Sequence, residues 1–156
     1  MISSQITGTA SGILETPLAK VATLLLDVPA GHVSGQGLPL VIAGFAGSIE
    51  IQGGPEKFTV LTGDKSAQIR LCFIDVDREN FSISTYGGWW FRGEYKISNH
   101  EKGSLLTYNL SNAATGMSGI IAGFLHRREL SAARPTLEMM LQSLGKRLGC
   151  PAYVIE

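Results

Sequence analysis

Between residues 48 and 110 the chain alternates apolar and polar residues in six short runs, each closed by a turn signal. Period-two alternation is what an antiparallel sheet with one covered face requires. Six such runs joined by turns leave little room for another architecture. The first two, 48–51 and 58–61, end at Gly53-Gly54-Pro55 and Gly63-Asp64-Lys65. Residues 67–76 carry Ile69, Leu71 and Phe73 at period two, which predicts those three on the covered face. In 81–86, Phe81 and Ile83 share one face and Ser82 and Ser84 the other. In 89–98, Trp89, Phe91, Tyr95 and Ile97 share the predicted inner face, with Trp90, Arg92, Glu94 and Lys96 outside. Residues 105–110 bring Leu106, Tyr108 and Leu110 to one side. A one-residue slip would reverse these faces and turn Trp90 inward.

The flanking sequence has a different period. Residues 2–13 read as a first strand. Thr16-Pro17 is a helix start, because Thr can cap free N–H groups and Pro is tolerated at the first helical position. Leu18, Val21, Leu24, Leu25 and Val28 follow at helical spacing until Pro29-Ala30-Gly31. Residues 31–40, rich in Gly, Ser and Pro, fit either a short helix or an irregular loop. Residues 40–45 fit a strand or a buried helical turn. Toward the end, Leu137, Met140, Leu141, Leu144 and Leu148 give the strongest helical pattern in the chain. Ile120, Ile121, Phe124 and Leu125 also sit at helical spacing, and Pro135, between the two groups, either kinks one long helix or starts its second half; Lys146 and Arg147 suit its C-terminal dipole, and Gly149 caps it. Its apolar face needs a partner, and the covered sheet face supplies one. The result is a single α+β domain over residues 1–156.

Composition removes several function classes. Thirteen Lys and Arg balance thirteen Asp and Glu, and charged residues are 17 % of the chain. Such a chain lacks the clustered positive charge that nucleic acid or an anionic membrane surface requires. Two uncharged stretches, 28–48 and 103–125, hold too much Gly, Pro, Ser, Thr and Asn to cross a bilayer as helices. Residues 1–8 lack the basic and apolar regions of a signal peptide, so a cytoplasmic protein with free thiols at Cys72 and Cys150 is expected. The spacing of His32, His100 and His126 fits no metal motif, and no metal or cofactor is expected. Gly35-Gln36-Gly37 and residues 53–57 are incomplete as phosphate loops and read as turns.

This order of elements resembles the START-type, polyketide-cyclase-like helix-grip (SRPBCC) superfamily. The resemblance lies in a first strand running into a helix that ends Leu24-Leu25-Leu26-Asp27-Val28, in the strand meander, in residues 93–110 as a last hairpin with Gly103 at its turn, and in the amphipathic helix through Leu137 to Leu148. It covers nearly the whole chain. The uncharged stretch 31–47, Pro135 and the tail after Gly149 depart from it. The resemblance implies a curved antiparallel sheet of about six or seven strands wrapped around a long C-terminal helix. It also implies binding of an apolar or amphipathic small molecule between the two.

On that reading Trp89, Phe91, Tyr95, Tyr108 and Phe124 are the expected ligand-binding residues, an apolar lining with a few hydroxyl and indole handles. The plainer alternative is that these aromatics only fill the core. Arg92 and Glu94 read as part of a solvated cross-strand surface. In the inverted register they, or His126, would be proton-transfer groups of a cyclase or dehydratase. A third reading is a protein-interaction module without ligand. No residue is assigned a catalytic role. The expected partner is an apolar small molecule, with no nucleic acid, no integral membrane association, and a homo-oligomer left open.

Overall fold

The computed structural model describes residues 5–42, 47–62, 68–87, 91–112 and 133–155. In chain order these form β1 (Gln5–Leu14), α1 (Leu18–Leu25), β2 (Gly31–Ser34), 3-10 turns at Gly35–Gly37 and Leu40–Ile42, β3 (Ser48–Gly53), β4 (Lys57–Thr62), β5 (Arg70–Asp77), β6 (Ser82–Gly87), β7 (Phe91–His100), β8 (Gly103–Asn112), α2 (Ala133–Leu148) and β9 (Ala152–Ile155). One sheet takes them all, in the order β2-β3-β4-β5-β6-β7-β8-β1-β9, with every described pair antiparallel. The meander from β2 to β8 is thus closed by β1, which returns from the start of the chain.

The expected six or seven strands become nine among the described residues. Both additions, β2 and β9, are four-residue edge strands. Each completes the hydrogen bonding of one outer neighbour, β3 or β1. The uncharged stretch 31–40 therefore begins as strand, which its composition did not suggest, and continues as short 3-10 helical turns at Gly35–Gly37 and from Leu40.

The inner face of the sheet carries Leu14, Ile49, Ile51, Phe58, Val60, Ile74, Val76, Ile83, Tyr95, Ile97, Leu106, Tyr108 and Leu110, all buried. Val21 and Leu25 of α1 and Leu137, Leu141 and Leu144 of α2 cover it. The second helix packs on β1, β8 and β9 and against α1. Contact is close at Gly12, where an added Cβ would overlap Leu141 and lie 2.9 Å from the Tyr153 carbonyl oxygen. At its C-terminus Gly149 takes φ +66° and the Cys150 amide donates to the Gly145 carbonyl at 3.1 Å, the expected glycine cap.

Three local expectations need correction. Thr16 does not cap α1: Pro17 holds the cap position with no side-chain hydrogen bond, and Thr16 is drawn inward, its carbonyl accepting from Ser104 Oγ at 2.6 Å. In β5 the inner face is Ile74 and Val76, while Ile69 is 65 % exposed and Leu71 lies outside. Both faces of that strand carry apolar residues, so alternation alone could not choose between them; the pairing with β4 sets Ile74 opposite the buried Phe58. Phe81 precedes β6 in a turn at φ +52°, packed against the core from there.

Candidate functional site

The sheet register brings Tyr95 of β7 directly opposite Tyr108 of β8. Their ring centroids are 4.7 Å apart at 47°, and both are buried. Gly93 makes room for this: a Cβ there would stand 2.7 Å from the Tyr108 hydroxyl. Burial, and secondarily the neighbouring Tyr108, pushes the Tyr95 phenol well above its usual range, so it is a neutral donor at physiological pH.

Tyr95 also meets solvent-reachable space. With Leu40 and Val41 of the 3-10 turn and Thr136, Met139, Met140 and Ser143 of α2, it lines a half-open cleft of about 160 Å³. That is below the roughly 300–1,000 Å³ of ordinary organic-ligand pockets. The described residues therefore form a seat for one ring or chain segment. Its polar handles are three hydroxyls, and Met139, 67 % exposed, stands at its rim.

Of the expected ligand-binding residues, Tyr95 and Tyr108 come together on the inner face. Trp89 and Phe124 lie outside the described residues, as does His126. Phe91 is placed by its backbone opposite Gly87 and Asn112, and its side chain lies outside them. Sequence reasoning missed the helix contribution. Thr136, Met139, Met140 and Ser143 recur at i, i+3, i+4 and i+7, a stripe beside the leucine stripe, and that spacing was the available signal.

Arg92 and Glu94 point to the outer face, so they do not supply proton carriers to the interior cleft. Their surroundings are more than a flat solvated surface. Arg92 Nη2 lies 3.4 Å and Lys57 Nζ 3.5 Å from Asp75 Oδ2, and the Tyr86 hydroxyl donates to Asp75 Oδ1 at 3.1 Å. The Arg92 guanidinium stands over the Tyr86 ring at 4.8 Å. Burial, then the Asp75 carboxylate, raises the Tyr86 phenol. Lys57, Asp75, Arg92 and Glu94 line an outer concavity of about 720 Å³. Among the described residues no cluster of His, Cys, Asp and Glu has a metal-binding arrangement, and no helix is long and apolar enough to cross a membrane. Cys72 and Cys150 are free thiols.

The sequence matches no family model, and no curated protein matches it. Solved structures do. A Thermus thermophilus protein, TTHA0849, superposes with a TM-score of 0.51 at 16 % identity, over 90 % of this chain and 94 % of that one. The di-domain aromatase/cyclase StfQ of the steffimycin biosynthetic pathway gives 0.54 at 14 % identity, over 92 % of this chain. This chain has the helix-grip fold. It spans about half of StfQ, 53 % of that chain. At such identities the likeness concerns the fold alone. In helix-grip terms the described cleft lies where the C-terminal helix meets the inner sheet face, with the 3-10 turn as its second lip.

Proposed function

We propose that this helix-grip domain binds an apolar or amphipathic small molecule between its sheet and its C-terminal helix. Tyr95 and Tyr108 contact the ligand, and Trp89, Phe91 and Phe124 complete the lining. The carrying observation is Tyr95: a buried phenol, kept neutral, at the base of a cleft whose walls are Leu40, Val41 and Met140. An apolar seat with a few hydroxyl donors suits a molecule that is mostly hydrophobic and has one polar end. The superfamily resemblance supports the same reading.

The test uses 1-anilinonaphthalene-8-sulfonate, an amphipathic aromatic probe, with the protein labelled at its methionine methyl groups. The reading expects saturable one-site binding that shifts the Met139 and Met140 methyl resonances. Ser143→Trp, which fills the cleft from the helix side, should abolish it while leaving thermal unfolding cooperative. Non-saturable fluorescence, or binding that Ser143→Trp leaves intact, would overturn the assignment to this cleft.

A further inference from the structure

The outer concavity is built on the side of the sheet that α2 does not cover, and the interior reading assigns it nothing. Its floor is a row of directly paired residues across four strands: Lys57, Asp75, Ser84 and Glu94. Two turns raise its rim. The Arg78 guanidinium ties them together by donating to the Pro55 carbonyl at 2.7 Å, and the Val76 amide donates to the Glu56 carbonyl at 2.7 Å.

Its charges are unevenly matched. The cations Lys57 and Arg92 both face Asp75, and Arg78 is held at Pro55. Asp77 is held by Asn80, whose hydrogen bonds, with help from Lys96, lower its pKa. Glu94 is half-buried on the floor and forms no ion pair with any described residue. Beside it, Ser84 is 3 % exposed, and its hydroxyl opens into the concavity and bonds to none of the described residues. A hydroxyl that reaches the concavity, beside a carboxylate with no ion-pair partner among the described residues, leaves hydrogen-bond capacity that a ligand would meet.

We infer that this concavity is a second ligand site, distinct from the interior cleft, that takes a small organic ammonium ion. The ammonium donates to Glu94 and to Ser84 Oγ, both acceptors on the floor. The Lys57–Asp75–Arg92 cluster sets two cations against one carboxylate, and its net positive charge repels a second cation from that side, which fixes the orientation of the ligand. The site does not depend on the interior reading, because no described residue lines both cavities.

The probe is putrescine, titrated into the uniformly labelled protein and followed by amide NMR, with succinate as the anionic counterpart of the same length. Saturable shifts centred on the amides of Asp75, Ser84 and Glu94 are expected, weakening as salt is raised. Glu94→Gln should weaken binding by about tenfold, the scale of one charge-assisted hydrogen bond. Ser84→Ala should weaken it severalfold, and Tyr95→Phe should leave it unchanged. Succinate should shift nothing. Absence of saturable shifts, equal binding of succinate, or undiminished binding to Glu94→Gln would each overturn the proposal.

Discussion

Replacing Gly103 with Ala tests how the last hairpin is anchored to the rest of the fold. Gly103 opens β8 at φ +137°, and a Cβ there would stand 2.6 Å from the Thr16 amide nitrogen and 2.7 Å from the carbonyl oxygens of Leu14 and Thr16. All three are backbone atoms of the β1–α1 junction, so no side chain can swing away. The neighbouring Ser104 hydroxyl bonds the Thr16 carbonyl at 2.6 Å, which holds the two segments at this separation. Left-handed strain on an L residue costs about 1–3 kcal/mol, and forced overpacking about 1–3 kcal/mol more. The expected loss is therefore about 3 kcal/mol or more, out of a total near 5–15 kcal/mol for an ordinary domain. At this chain length that corresponds to a fall in Tm of roughly 6–12 °C. Gly149→Ala is the control: φ is +66° there, but nothing lies within 4 Å, so only the conformational strain of about 1–2 kcal/mol applies. Urea unfolding followed by circular dichroism reads both. If Gly103→Ala costs no more than Gly149→Ala, the close approach of the hairpin to the β1–α1 junction is wrong.

Other perturbations separate core from site. Leu144→Ala, at a fully buried position under the sheet, should cost about 2–5 kcal/mol in the same unfolding assay. Tyr95→Phe removes a hydroxyl facing the cleft; it should change stability by less than about 1 kcal/mol, the net worth of one hydrogen bond, yet weaken probe binding in fluorescence titration. Gly12→Val should loosen the seating of α2 on β1, seen as faster amide exchange along residues 137–144. Burial pushes the Cys72 thiol up to about 11 from its model-compound value of 9.0. Below pH 9 both folded and unfolded states hold the proton and stability is unaffected; between 9 and 11 the unfolded chain ionises first, so stability falls as pH rises. Urea midpoints across that window should drop for the wild type and drop less steeply in Cys72→Ala, where the raised Cys150, Tyr86 and Tyr95 still contribute.

Much of the fold was legible because two periods dominate the sequence. The alternation in β7 and β8 put Tyr95, Ile97, Leu106, Tyr108 and Leu110 inward, and the leucine stripe placed the buried face of α2. Where both faces of a strand are apolar, as in β5 with Leu71 and Phe73 against Ile74 and Val76, periodicity carries no sign, and only the pairing with β4 shows which face is inward. The edge strands β2 and β9 are too short to show a period. The cleft was half legible: Tyr95 and Tyr108 announced themselves as aromatics on an inner face. The Thr136–Ser143 stripe stayed hidden because two of its members are hydroxyl residues and a third, Met139, is exposed. The outer concavity follows from which residues stand across from one another on four strands and from two turns that rise above them, neither of which a single segment encodes.

The central claim, an amphipathic small molecule held between sheet and helix, is tested most directly by native mass spectrometry of the purified protein, with Ser143→Trp prepared in parallel. The account predicts a stoichiometric extra mass on the wild type, extractable into organic solvent and absent from Ser143→Trp. An apo mass for both, with no uptake from a panel of apolar and amphipathic compounds, would contradict it.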